Sequence, residues 1–95
     1  ACHQDFLSEP PILVVATCEE GREFDLAIAL TYLSLAATNE GLATCWVGWF
    51  EREALRHILD LPATLAVPIL LPLGYADEAP AARPRKPLNE LVEWR

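Results

Sequence analysis

The chain has 95 residues and a mass of 10.5 kDa, so it holds at most one small domain. With 53% apolar and 22% charged residues and a mean hydropathy of +0.20, it is too apolar for a disordered tail and richer in apolar residues than a lone domain of this size needs. Fourteen acids against seven bases give a net charge of −7, which argues against nucleic acid as the principal ligand, and no apolar run approaches the ~18 residues of a membrane span.

In chain order, residues 1–11 read as a helix end or loop leading into Pro10-Pro11, where a helix cannot continue. Ile12 to Cys18 is a continuous β-branched run, the pattern of a strand covered on both faces. Glu19-Glu20-Gly21-Arg22 forms a polar turn. Asp25 is placed to cap a helix from Leu26 to about Glu40, with Gly41 as its stop. This helix is apolar nearly all round: Leu26, Leu30 and Leu33 line one side, Ile28, Tyr32 and Leu35 another. So apolar a helix belongs in a core or a subunit interface.

Leu42–Phe50 reads as a second strand, ending in Trp46-Val47-Gly48-Trp49-Phe50. Glu51–Leu59 follows as an amphipathic helix with Ala54, Leu55, Ile58 and Leu59 on its apolar face, closed by Leu61-Pro62. Val67–Leu73 is a third strand, whose Pro68 and Pro72 are expected to turn their missing N–H groups away from any ladder partner. Residues 76–95 form an extended C-terminal arm in which Leu88–Trp94 is a short helix or strand. The order β-α-β-α-β-tail gives an α+β fold, with too few segments for a parallel wind.

Three cysteines, Cys2, Cys18 and Cys45, without a close Cys/His set argue against a disulfide framework and a structural zinc site and fit reduced thiols in the cytoplasm. The N-terminus carries no basic region before an apolar stretch, so no signal peptide is expected. A chain opening Ala1-Cys2-His3-Gln4, without Met, is expected to have lost an upstream part. No Ser-His-Asp or Cys-His set, clustered glycines or paired carboxylates are evident, so no catalytic side chain and no metal ligand is assigned. His57 reads as an exposed partner of Glu53 four residues earlier, and His3 as solvated. Such a chain works through a borrowed cofactor or by binding alone.

Two segments stand out. Three of the seven bases fall within Arg83-Pro84-Arg85-Lys86, where Arg83 and Arg85, two apart on an extended stretch, project to one side and can clamp a single anion. A solvated basic tail is the alternative. Trp46-Val47-Gly48, at the end of a strand, offers a flat apolar surface and an approachable backbone to a planar ligand, although Trp46 and Phe50 also suit a core.

The run Asp25-Leu26-Ala27-Ile28-Ala29, Leu35-Ala36-Ala37 and Gly41-Leu42-Ala43-Thr44-Cys45-Trp46-Val47-Gly48-Trp49-Phe50 resembles the nitroreductase family of FMN-dependent flavoproteins. The pieces Gln4-Asp5-Phe6-Leu7, Pro10 to Val15, Leu59-Asp60-Leu61-Pro62, Leu71 to Tyr75 and Arg83 to Leu88 follow the family's order. The resemblance implies a nitroreductase-like antiparallel-rich sheet flanked by helices, of which residues 1–95 are the C-terminal part of a single domain. It implies FMN at the interface of a homodimer and hydride transfer from NAD(P)H, by way of the flavin, to a nitroaromatic or quinone-like acceptor. Trp46, Val47 and Gly48 would contact the flavin ring; Arg83 and Arg85, with Lys86 the weaker candidate, would hold its phosphate.

Two departures accompany the resemblance. The family's N-terminal half, with an Arg-x-Ser-type segment that grips FMN, has no counterpart, so these 95 residues alone are expected to be inactive. Ala43 stands where the family usually has Gly, which requires a negative φ there or a small local rearrangement. A non-enzymatic flavin binder and a cofactor-free interaction module are the rival readings.

Overall fold

A computed structural model describes residues 9–95, so the segments Ala1–Cys2–His3 and Gln4–Leu7 lie outside the described residues. Strand β1 (Ile12–Glu19), helix α1 (Glu23–Asn39), strand β2 (Ala43–Thr44), helix α2 (Arg52–Leu59), strand β3 (Leu65–Gly74) and helix α3 (Leu88–Leu91) follow in that order. The sheet runs β1-β3-β2, and both pairings are antiparallel. The last long strand is therefore the central one.

Alternation along β1 and β3 divides the core into two layers. Val14, Ala16, Ile69 and Leu71 turn to one face, where Leu26, Leu30 and Leu33 of α1 cover them. Val15 and Leu70 turn to the other, where they meet Val47, Phe50, Val67 and Leu55 of α2. Cover on both faces explains the unbroken apolar run of β1. The cover fails at its beginning, where Ile12 and Leu13 are exposed.

The prolines of β3 shape the sheet by what they cannot donate. Two residues, Val67 and Pro68, stand opposite Thr17 alone, between the Ala16–Ile69 and Cys18–Ala66 pairs. This bulge accommodates Pro68. Pro72 departs from expectation. Val47 and Leu70 exchange both backbone bonds at 2.9 Å, and Ala43 and Thr44 pair with Gly74 and Leu73 in the same register. Bonded pairs recur at every second residue, so the next rung would join Cys45 to Pro72, which has no N–H to give. The expected strand Leu42–Phe50 is thus broken at Cys45 and Trp46.

Helix α1 begins at Glu23, earlier than expected, with Arg22 before it and no side-chain cap. Asp25 instead sits in the first turn, ion-paired with Arg22 at 3.2 Å, where a carboxylate also favours the helix dipole. The other end is as expected. Gly41 has a φ of 77°, and the N–H groups of Gly41 and Leu42 return to the carbonyls of Thr38 and Ala37 at 3.0 and 2.9 Å. A left-handed glycine is the residue that permits this closure. Ala43 is not among the residues with positive φ, so its methyl group is accommodated without strain.

The outer face of α1 is bare. Phe24, Ile28, Tyr32 and Leu35, spaced four, four and three residues apart, form one stripe with relative exposures of 87%, 59%, 70% and 62%. No charged residue occurs between Asp25 and Glu40. The hydroxyls of Thr31, Ser34 and Thr38 donate back to the helix's own carbonyls, which leaves hydrocarbon outermost. Residues 76–87 carry no regular structure, and every residue from Tyr75 to Leu91 is exposed. No helix among the described residues is long and apolar enough to cross a membrane.

Candidate functional site at the edge of the sheet

The edge formed by Trp46, Val47 and Gly48 is built by the missing rung. Val47 is anchored to β3 by both backbone groups, and its side chain, only 3% exposed, fills the α2-side core. A trans peptide points its N–H opposite to its C=O. Because the Val47 carbonyl faces Leu70, the Gly48 N–H faces away from the sheet; because the Val47 N–H faces Leu70, the Trp46 carbonyl also faces away. The edge therefore turns outward one donor and one acceptor, the latter also accepting from the Cys45 thiol at 3.9 Å.

The structure places Val47, expected beside the flavin ring, with its backbone and side chain turned inward. Its N–H, C=O and side chain are all engaged within the chain, so it anchors the edge and contributes no contact surface of its own. Trp46 and Gly48 lie on the opposite, α1-facing side of the strand. A Cβ built at Gly48 would come within 3.8 Å of Ile69 Cδ1. Trp46, 43% exposed, lines a cavity of about 250 Å³ together with Phe24, Leu26, Leu30, Pro68 and Ile69. Its walls are hydrocarbon, and the planar indole stands at its margin.

Arg52 supplies the element that sequence reasoning missed. From the first turn of α2 its Nη2 donates to the carbonyls of Gly48 (3.0 Å) and Pro68 (2.9 Å), and its Nε donates to that of Val67 (3.1 Å). The guanidinium also lies 4.5 Å from the centre of the Phe50 ring. The cue was in the sequence: an Arg four residues after Gly48 and two after an aromatic residue.

Arg83 and Arg85 are exposed, and Pro84 and Pro87 hold their segment extended. Among the described residues neither arginine makes a hydrogen bond, ion pair or ring contact, and none links them to Trp46 or Gly48. Lys86 is likewise free among those residues. Two separate features result: a strand edge beside an apolar cavity, and two guanidinium groups without a partner among the described residues. Glu53 pairs with Arg56 at 3.4 Å rather than with His57. No group of three or more His, Cys, Asp or Glu suited to a metal occurs among the described residues.

Cys18 and Cys45 are free thiols. Partial burial, then the nearby carboxylates of Glu23 and Asp25, push the Cys18 thiol above its ordinary value, so it resists ionisation.

An antiparallel sheet with helices on both faces and an aromatic strand edge defines an α+β fold, and comparison with known proteins identifies its family. The model of the nitroreductase family matches residues 2–75, and the chain belongs to that family. A NADH dehydrogenase of Thermus thermophilus is 40% identical over 68 residues, covering 72% of this chain and 33% of its own. A nitroreductase family protein of Clostridium difficile superposes with a TM-score of 0.80 at 24% identity, over 93% of this chain and 61% of that one. An iodotyrosine deiodinase bound to FMN and 3-iodo-L-tyrosine superposes with a TM-score of 0.77 at 28% identity, over 95% and 48%. The chain spans about a third to a half of the length of the curated relatives it matches. The family match ends at Tyr75, so Arg83 and Arg85 stand beyond it.

Proposed function

We propose that the complete protein is an FMN-dependent oxidoreductase that passes a hydride from NAD(P)H to a small nitroaromatic or quinone-like acceptor. The observation that carries this reading is the outward Gly48 N–H beside the exposed Trp46 indole, on a family scaffold whose FMN-bound relative superposes over nearly the whole chain. Bound FMN supplies the two-electron carrier that this chain's own side chains lack.

The residues present suit that cofactor. The Gly48 N–H would donate to a heteroatom of the ring and the Trp46 surface would cover an apolar ring edge, with Val47 holding both in place by its bonds to Leu70. The forked, unpaired guanidinium groups of Arg83 and Arg85 match a phosphate monoester. Lys86 adds charge without the fork. No side chain here acts as nucleophile or general base.

The remaining grip on FMN comes from chain outside these 95 residues, and residues 1–95 alone are inactive. The exposed stripe on α1 is covered by a second subunit, making the protein a homodimer with its site at the interface; its compartment is the cytoplasm. The test is to purify the complete protein, measure flavin per subunit, and follow NAD(P)H oxidation with a nitroaromatic or a quinone. One FMN per subunit with acceptor-dependent turnover supports the reading. A protein that stays colourless after incubation with FMN contradicts it.

A further inference from the structure

We propose that Arg52 is the positioning residue of the Trp46–Gly48 edge and sets both the affinity and the reduction potential of the flavin held there, an inference that rests on the FMN reading above. Gly48 has no side chain to hold it and the largest conformational freedom of any residue at this edge. Its two peptide groups are nevertheless both tied to the β3 side. The Val47 carbonyl accepts from Leu70 N–H at 2.9 Å, and the Gly48 carbonyl accepts from Arg52 at 3.0 Å. With both planes fixed, the Gly48 N–H keeps one outward direction. Preorganised donors of this kind bind more tightly because little freedom is lost on binding.

Arg52 can do this because β3 leaves it a vacant set of acceptors. Beyond the Val47–Leu70 rung the chain turns away into α2, and the carbonyls of Val67 and Pro68 take Arg52 as their donor. One fork thus spans three carbonyls on two segments. Lysine has no equivalent geometry. The Phe50 ring, itself buried, supports the guanidinium from below.

The charge matters separately from the fork. Among the described residues no carboxylate pairs with Arg52, so a half-buried positive charge is bonded to the carbonyl of the same residue whose N–H would face the ring. Positive charge stabilises a reduced flavin, which gains negative charge, relative to the oxidised form. Loss of that charge therefore drives the midpoint potential negative. A purely structural clamp would affect stability and leave the potential alone.

The experiment uses the complete protein as wild type, Arg52→Gln and Arg52→Lys. Three quantities are read: urea midpoint of the FMN-free form, FMN dissociation constant by fluorescence quenching, and flavin midpoint potential by equilibration with reference dyes. Arg52→Gln is expected to weaken FMN binding roughly tenfold, because the Gly48 amide loses its preset direction, and to shift the potential negative. Arg52→Lys is expected to loosen binding several-fold while keeping the potential near wild type. Unchanged affinity and potential in Arg52→Gln, with a lowered urea midpoint, would reduce Arg52 to a structural clamp and overturn the proposal. Should Arg52→Gln fail to fold, Arg52→Lys decides. Wild-type FMN affinity in Arg52→Lys would then overturn the proposal. If wild type itself takes up no FMN, the functional reading fails first and this inference falls with it.

Discussion

Helix α1 carries four large apolar side chains in a stripe that nothing in residues 9–95 covers, and Ile28 lies near its middle. If a second subunit covers this stripe, Ile28→Ala must weaken assembly by a calculable amount. Full burial of an isoleucine contributes about 1.5–3 kcal/mol, and Ile28 has 59% of its surface still to bury, which leaves roughly 1–1.5 kcal/mol for the atoms removed by Ala. In a two-fold dimer every substitution occurs twice, so the loss becomes about 2–3 kcal/mol. The dimer constant should weaken roughly 30- to 150-fold. Sedimentation equilibrium of the complete protein measures this directly. Leu30→Ala is the control: Leu30 packs into the core on the opposite face of the same helix, so its loss should lower the unfolding midpoint before it affects assembly. A dimer constant unchanged by Ile28→Ala, or a wild type monomeric at micromolar concentration, would refute the reasoning.

Further outcomes follow from single residues. In the complete protein, Arg85→Ala should weaken FMN binding roughly 10- to 100-fold, and unchanged affinity in both Arg83→Ala and Arg85→Ala would remove the phosphate assignment. Leu70→Ala, at a fully buried position where α2, Phe50 and Val47 meet, should cost about 2–5 kcal/mol in urea denaturation. Asp60 ends α2 with a φ of 53°, a conformation that disfavours a side chain, so Asp60→Gly should raise stability by up to about 1 kcal/mol. Because the Cys18 thiol is shifted upward, its thiolate forms only at higher pH than an ordinary cysteine's. Peptide mapping after alkylation near pH 8.5 should show Cys18 labelled after Cys45, and Glu23→Gln should speed it; equal rates in both proteins would remove the role of the carboxylate.

Much of the architecture was legible because single features decide it. The unbroken run of β1, the charge-free stretch of α1 and the stop at Gly41 each follow from local chemistry that tertiary packing then used unchanged. The second strand was legible in place but not in extent, since its break after Thr44 depends on Pro72, which meets Cys45 only once the register exists. For the same reason β3 reads from sequence as a strand weakened by proline, yet it is the centre of the sheet: one proline sits at a bulge and the other costs a single rung. At the site, periodicity places Trp46 and Gly48 on one face. Whether Val47 keeps a free backbone depends on its partner, Leu70, 23 positions away in sequence. Arg52 escaped notice because its acceptors are carbonyls, which every residue has and no composition reveals.

The central claim, that the Trp46–Gly48 edge receives a flavin whose phosphate is held by the basic arm, is tested most directly by a crystal structure of the complete protein grown with FMN. The account predicts the Gly48 N–H about 3 Å from a ring heteroatom, the Trp46 indole against the ring edge, and Arg83 or Arg85 within hydrogen-bonding distance of the phosphate. FMN bound elsewhere, or bound here with Gly48 and both arginines uninvolved, would contradict it.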